Sequence, residues 1–398
     1  MLSATNAVKS KSLNLWVVLE AIRIRGPIPR IVISEITGLS KQATSDLVEE
    51  LLSLGFVQEE KSGERRVGKP PKPIAVRADG AFTLGFHVDF GMANAVVMNL
   101  GGAVLYREAH PLGSVDVTTV AQTLAAMVPR LLAHGGGGRF LGIGLATPGP
   151  FDVPRMSPPR LPGWDGLALR RALAEATTHP VALANDGQCA VTAEARFGVA
   201  ARQLRDFVYL YIGDGLGTGI MINGAVLAGA RGNAGELGHT IAVPGGHTCV
   251  CGKKGCLETY VSVEALRRFL ASREAGLTQA PDLDDPVAAD HPLVAEWIEQ
   301  AVVPLHDGIN TLENLFDPET IMIGGNAPAW LIDALIRMVE PLHESIALHR
   351  DRALPRLMRP DLGADAVARG AATLPILTLL NPHYRSGDDA RNEVESEG

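Results

Sequence analysis

Two stretches of this chain, more than a hundred residues apart, follow one scheme, and that scheme limits what the chain can fold into. Phe82 to Tyr106 reads strand, Asp89-Phe90-Gly91, strand, Gly101-Gly102, strand. Phe207 to Leu227 reads strand, Gly213-Asp214-Gly215-Leu216-Gly217, strand, Asn223-Gly224, strand. Glycine at each break supplies the backbone freedom of a tight turn between apolar runs. Two such meanders predict a duplicated lobe, and two lobes facing each other enclose a ligand cleft. Helical stretches such as Val120 to His134, Leu167 to Ala176 and Leu293 to Leu315 lie between and after them, so the body is expected to be α/β. With 398 residues, 46% of them hydrophobic, the chain can bury a sizeable core and hold two or three domains. No apolar run reaches the ~20 residues that span a bilayer, and the N-terminus lacks the basic-then-apolar pattern of a secretory signal. The expected location is the cytoplasm, with no membrane partner.

The first eighty residues have a different character. Leu13, Trp16, Val17, Leu19, Ala21 and Ile22 recur at helical spacing until Gly26-Pro27 stops the pattern. A second helix through Ile33 and Ile36 ends at Thr37-Gly38-Leu39, where Gly38 can supply a positive φ. Ser40 is placed to cap a third helix whose apolar face is Ala43, Leu47, Leu51 and Leu52. Helix, short glycine turn, helix is the helix-turn-helix pattern. Two β-like pieces then flank a charged stretch from Glu59 to Arg66, as in a hairpin wing, and Lys69, Lys72 and the prolines between Pro70 and Pro73 are expected to form a stiff linker.

Charge separates the same two regions. Residues 1–77 hold 12 Lys and Arg against 8 Asp and Glu, a balance of +4 within a chain of net charge −8, which leaves −12 for the rest. A basic module on an acidic body fits a polyanion at the N-terminal end and argues against one elsewhere. Lys41, Gln42, Thr44 and Ser45, at the start of the third helix, are expected in a major groove, where Gln, Thr and Ser hydrogen-bond base edges. Lys61, Arg65, Arg66 and Lys69 are expected against phosphates. A homodimer or homotetramer would set two modules on a pseudo-palindromic operator.

Three of the four cysteines fall between Cys249 and Cys256, a crowding that suits a metal site better than a disulfide framework. Three thiolates and an imidazole satisfy a tetrahedral Zn²⁺, and Gly252 and Gly255 let the chain curl until the sulfurs converge. His239 and His247 are both candidates for the imidazole, and spacing does not choose between them. Upstream, Asn185-Asp186 follows an apolar strand, Val181 to Ala184, and precedes a helix through Ala190, Ala193 and Ala195. Alone, the pair could simply cap that helix. Joined by Glu236, His239 and Glu258, it supplies the several acceptors and donors with which a protein recognises sugar hydroxyls.

These residues carry a resemblance across nearly the whole chain. Gly26-Pro27, Thr37-Gly38-Leu39-Ser40, Pro148-Gly149-Pro150, Leu161-Pro162-Gly163-Trp164, Asn185-Asp186 and above all the block from Glu236 to Glu258 resemble the ROK family of repressors, open reading frames and kinases. The resemblance implies a winged helix-turn-helix followed by a two-lobed, actin-like, sugar-kinase-like body with a structural zinc site, usually oligomeric. It implies His239, Cys249, Cys251 and Cys256 as the ligands of one Zn²⁺ per chain. Asn185, Asp186, Glu236, His239 and Glu258 fall at its sugar ligands, with Asp186 at the position of the kinases' general base. The domains expected on this basis are residues 1–80 for the winged module and linker, 81–187 for a first lobe completed by about 365–383, 188–364 for a second lobe with the zinc motif, and 384–398 for a polar, disordered tail.

The departures from the kinase pattern fall on one side. Kinase members carry Asp-x-Gly-Gly-Thr in the first meander, where this chain has Asp89-Phe90-Gly91-Met92-Ala93, and the kinase Gly-Thr-Gly of the second is here Gly213-Asp214-Gly215. Met92 would crowd a phosphate against the turn, and the Asp214 carboxylate would repel it. The phosphate side reads as lost and the sugar side as intact. The function expected is a sugar-responsive DNA-binding regulator, a repressor with a small sugar effector; the alternative is an ATP-dependent sugar kinase with a DNA-binding appendage.

Overall fold

A computed structural model describes residues 7–60, 72–153, 156–158, 161–198, 204–273, 282–347 and 352–381 of the chain. It opens with three helices, α1 (Ala7–Arg25), α2 (Arg30–Thr37) and α3 (Lys41–Ser53). Gly38 ends α2 at φ 70°, its N–H donating to the Ser34 carbonyl, and the Ser40 hydroxyl caps α3 by accepting from the Ala43 N–H. Strand β1 (Val57–Glu59) then pairs antiparallel with β2 (Ile74–Val76), giving the two strands of a wing. Lys61, Arg65, Arg66 and Lys69 lie outside the described residues, as does the tail from residue 384.

The expected linker is corrected at Lys72 and Pro73, the two of its residues that fall among those described. Lys72 ion-pairs with Glu59 on the opposite strand, and the Pro73 carbonyl accepts from the Glu60 N–H at 2.8 Å. These residues therefore lead into the second wing strand, where a two-stranded ribbon tolerates proline at its edge. Passage to the body takes only Arg77 and the short turn Ala78–Gly80. Nor does the module hang free: Leu19, Ile22, Leu51, Phe56 and Ile74 share one apolar cluster with Ala81, Leu100, Ile376 and Leu380 of the body.

The body contains the predicted repeat as sheet topology. In the first sheet β3 (Ala81–Asp89), β4 (Met92–Asn99) and β5 (Val104–Pro111) form the antiparallel meander, and β6 (Arg139–Ala146) and β7 (Val181–Ala184) extend it in parallel, in the order β5-β4-β3-β6-β7. The second sheet repeats the scheme with β8 (Phe207–Ile212), β9 (Leu216–Ile222), β10 (Ala225–Val226), β11 (Thr320–Gly324) and β12 (Leu357–Met358), in the order β10-β9-β8-β11-β12. Parallel crossovers need helices, and they run through α4 (Val117–Leu132) and α5 (Gly166–Thr177) in the first half, and α7 (Val263–Arg273), α8 (Pro292–Phe316) and α9 (Ala329–Met338) in the second. Between the halves lie α6 (Asp186–Phe197) and the last helix, α10 (Ala366–Leu380), which pack against each other. α10 also lies on β3, β6 and β7, so the C-terminal helix returns to the first sheet. Among the described residues, no helix is long and apolar enough to cross a membrane.

Candidate functional site

The parallel strand β7 delivers the chain to the cleft at its C-terminal end, where open α/β sheets bind ligands. There Asn185 does what its position suggests and caps α6, its side-chain oxygen accepting from the Gln188 N–H at 2.8 Å. Asp186 opens the helix and is 7% exposed. Across the cleft stand the start of β9, the loop carrying Gly235 and Glu236, the single turn Leu237–His239, and a second single turn, Leu257–Thr259. Asn185, Asp186, Glu236, His239 and Glu258 all line one cavity, with Asp89, Asp214 and Thr218 beside them. The approach depends on Gly187, where a Cβ would lie 2.7 Å from the Thr218 backbone and force α6 away from β9.

Toward this end of the cleft burial raises the carboxyls. Glu258 accepts from the Leu216 N–H at 3.1 Å, and burial pushes its carboxyl up to about 7. Burial, and then the neighbouring Glu258 charge, pushes Glu236 up to about 7 as well. Asp186 is pushed well above the usual carboxylate range, first by burial and then by the charge of Asp89. Sequence motifs did not single out His87, whose Nε2 lies 3.5 Å from Asp186 Oδ1; neither atom has a hydrogen-bond partner among the described residues. Burial pushes His87 down against the pull of Asp89. Although the two are at ion-pair distance, burial therefore favours the neutral pair. One signal was available: His87 is two residues before Asp89 on β3, so strand alternation puts both on the same face.

The other side of the cleft is tied up internally. Asp89 accepts from the Phe90 N–H at 2.7 Å and from the side-chain amide of Asn326, which reaches over from the loop after β11. Asp214 is not the bare carboxylate expected, because Arg267 of α7 forms an ion pair with it.

Beside these cleft residues, His239, Cys249, Cys251 and Cys256 bring one donor atom each to within 4.8 Å of one another. His239 Nδ1 is 3.5 Å from Cys249 Sγ, and Cys251 Sγ is 3.5 Å from Cys256 Sγ. Tetrahedral zinc bonds of about 2.0–2.3 Å set ligand atoms roughly 3.5–3.8 Å apart, so the donor set and these two spacings fit such an ion. His247 stays outside this group; its N–H donates to the Tyr260 hydroxyl and its ring centroid sits 4.9 Å from that of Tyr260. The Nε2 of His239 faces Glu236 Oε2 at 3.9 Å, so one imidazole touches both the thiol cluster and the cleft.

On the N-terminal module, Lys41 and Gln42 are exposed at the start of α3, and Gln42 donates to Asp46 at 2.8 Å. The Ser45 hydroxyl accepts from Arg30 at 3.0 Å. Thr44 is a correction: it is fully buried, in phase with Leu47, Val48 and Leu51, and cannot present its hydroxyl to a base.

Comparison with known proteins agrees with this architecture. A xylose repressor of Bacillus spizizenii is 24% identical over 381 residues, covering 93% of this chain and 97% of that protein. The crystal structure of a ROK family transcriptional regulator, described as a homolog of the Escherichia coli MLC protein, superposes with a TM-score of 0.74 at 28% identity, covering 94% of this chain and 98% of that one. A ROK hexokinase from Thermus thermophilus superposes with a TM-score of 0.57 at 32% identity, covering 75% of this chain and 98% of that one. Residues 86–376, most of the chain and both sheets, match the ROK family, and the chain belongs to it.

Proposed function

We propose that this chain is a sugar-responsive, DNA-binding transcriptional repressor. One observation carries the reading: a helix-turn-helix module shares its core with a body whose cleft gathers Asn185, Asp186, Glu236, His239 and Glu258. Similarity to a xylose repressor over nearly the full length of both chains supports it. Carboxylates and an amide at fixed positions accept and donate to sugar hydroxyls, and at neutral pH the raised carboxyls can do either. Lys41, Gln42 and Ser45 are the proposed groove residues, with Lys61, Arg65, Arg66 and Lys69 on phosphates, and a homodimer or homotetramer is the proposed assembly on operator DNA. His239, Cys249, Cys251 and Cys256 are the proposed ligands of one structural Zn²⁺ per chain, which would hold His239 in register with the cleft.

A second reading, sugar kinase, is favoured by the burial of Asp186 at the cleft and by the likeness to a hexokinase. Against it stand Met92 and Ala93 in the first turn and the engagement of Asp89 by Asn326. The experiment that separates them uses duplexes enriched from random sequence by the full-length protein. Their affinity is measured with and without D-xylose, D-glucose or N-acetyl-D-glucosamine, and ADP release is followed in parallel. The repressor reading expects a sugar-dependent change in DNA affinity with no sugar-dependent ADP release; the reverse pattern overturns it.

A further inference from the structure

Helix α6 has one end in the cleft and the other against the DNA-binding module. At its start are Asn185, Asp186 and Gln188, and the Gln188 amide donates to the Gly232 carbonyl at 2.8 Å, on the stretch that leads to Glu236. In its last turn Arg196 is 8% exposed. Its guanidinium pairs with Glu20 of α1 at 3.0 Å and lies 5.0 Å from the centroid of the Trp16 ring, also on α1. Glu20 is held from the other side by Arg23 at 2.9 Å, and Arg23 in turn donates to the Arg196 carbonyl at 3.0 Å. Three residues of α1 thus grip one turn of α6. A helix of twelve residues spans about 18 Å.

Between these ends α6 has no room to bend. Asp186 through Glu194 are all buried, and the only glycine within the helix, Gly187, sits in its first turn, against β9. A packed helix of this kind moves as a unit, because displaced neighbours would open voids in a close-packed interior. At the far end, Arg196 is buried and Glu20 is largely so, so separating the partners strands the Arg196 charge, and the link holds. Burial lowers the Arg196 pKa while the Glu20 charge works against that drop; the Arg196 and Arg23 charges hold the Glu20 carboxyl below its usual range despite its burial. Past the grip, α1 contributes Leu19 and Ile22 to the cluster that holds Leu47 and Leu51 of α3, so a shift of α1 is a shift of the helix that would read DNA.

We infer that Arg196, with Glu20 and Trp16, is a positioning residue that passes sugar occupancy at Asn185 and Asp186 through α6 to the DNA-binding module. The inference rests on the cleft being an effector site. Its physical content is a coupling free energy between two distinct sites, and the residues that carry it touch neither ligand.

The test uses the full-length chain, enriched duplex DNA, and D-xylose, D-glucose and N-acetyl-D-glucosamine as probes. Sugar affinity is measured by calorimetry, and DNA affinity by anisotropy with and without sugar. Arg196→Gln and Glu20→Gln should each keep sugar affinity within about threefold, while the ratio of DNA affinities with and without sugar collapses to less than about twofold. Exchanging the charges, Glu20→Arg with Arg196→Glu, should restore part of that ratio. Since Arg196→Gln could unfold the chain, Trp16→Leu, at a half-buried position, carries the same expectation. A purely structural role would weaken DNA binding equally with and without sugar; an unchanged ratio in the folded variants overturns the coupling alone. A wild-type chain whose DNA affinity ignores all three sugars overturns the effector reading, and the coupling with it.

Discussion

The polar side chains of the central cleft fall into two groups with opposite fates. On one side burial raises the carboxyls of Asp186, Glu236 and Glu258, and His87 Nε2 has no hydrogen-bond partner among the described residues, an expensive arrangement that makes sense where a ligand supplies the missing partners. On the other side Asp89 is held by Asn326 and the Phe90 N–H, and Asp214 by Arg267, so the polar groups have found partners within the protein. A fold shared with kinases can therefore keep recognition while the groups that would meet phosphate are consumed by internal bonds. On the repressor reading, binding energy would go into biasing a conformation, and each ~1.4 kcal/mol of preference for one arrangement would change its population ratio tenfold.

The contrast breaks most severely if the support under the sugar side is removed. Cys249→Ser or Cys251→Ser should abolish binding of one zinc per chain, measured by metal analysis, and should lower stability by several kcal/mol, since structural zinc sites contribute to folding directly. Sugar affinity should fall with it, because the His239 ring touches both the thiol cluster and the cleft. Full zinc occupancy in a His239→Ala chain would show that another group completes the ligand set. Next in size is Asp186→Asn. An amide cannot ionise against a sugar hydroxyl as the carboxyl can, a loss of about 1–3 kcal/mol, roughly 5- to 150-fold in sugar affinity by calorimetry. Sugar-free DNA binding should be nearly unchanged. Thermal stability should hold or rise, because a neutral side chain replaces a carboxyl that burial disfavours.

The sugar side was also the more legible in the sequence, for a physical reason. Strand, Asn185-Asp186, helix is a local pattern, and three cysteines within eight residues can meet only around a tight curl, which Gly252 and Gly255 make at φ 84° and 87°. What stayed hidden depends on distant partners. Glu20 and Arg196 are far apart in the chain, and nothing near either announces the other. Lys72 and Pro73 resemble part of a linker until Lys72 is seen to pair with Glu59 across the ribbon. Thr44 is different: its phase with Leu47, Val48 and Leu51 already put it on the apolar face, and its polar side chain drew attention from a periodicity that was plain.

A smaller effect comes from pH. Asp186 titrates above the unfolded carboxylate value of about 4, so above about pH 4 the folded state holds a proton the unfolded state has lost, and this group's contribution to stability falls as pH rises. Accepting from a sugar hydroxyl favours the ionised form, so sugar affinity should rise over the same window. His87 works in the opposite sense on stability: burial keeps it neutral, and its contribution is lost as pH falls below about 6.5. Calorimetry across this range should show affinity climbing with pH in the wild type and a flatter profile in Asp186→Asn. Identical slopes in both would place the titrating group elsewhere in the cleft.

The smallest expected effect lies on the phosphate side. Met92→Gly with Ala93→Thr restores the glycine and the hydroxyl that the first turn lacks, so if crowding were the whole obstacle, sugar-dependent ADP release should appear. We expect release to stay at background. Asp89 would still be held by Asn326 and Phe90, and the Asp214–Arg267 pair would still occupy the second turn. A phosphate site needs several donors converging at once, and two restored groups do not free the others. Turnover in the double variant that requires Asp186 would mean that the two sides differ by one crowded turn and that Asn326 yields readily. Turnover in the unaltered chain would remove the contrast itself, because the internal bonds on the phosphate side would then be opening during catalysis.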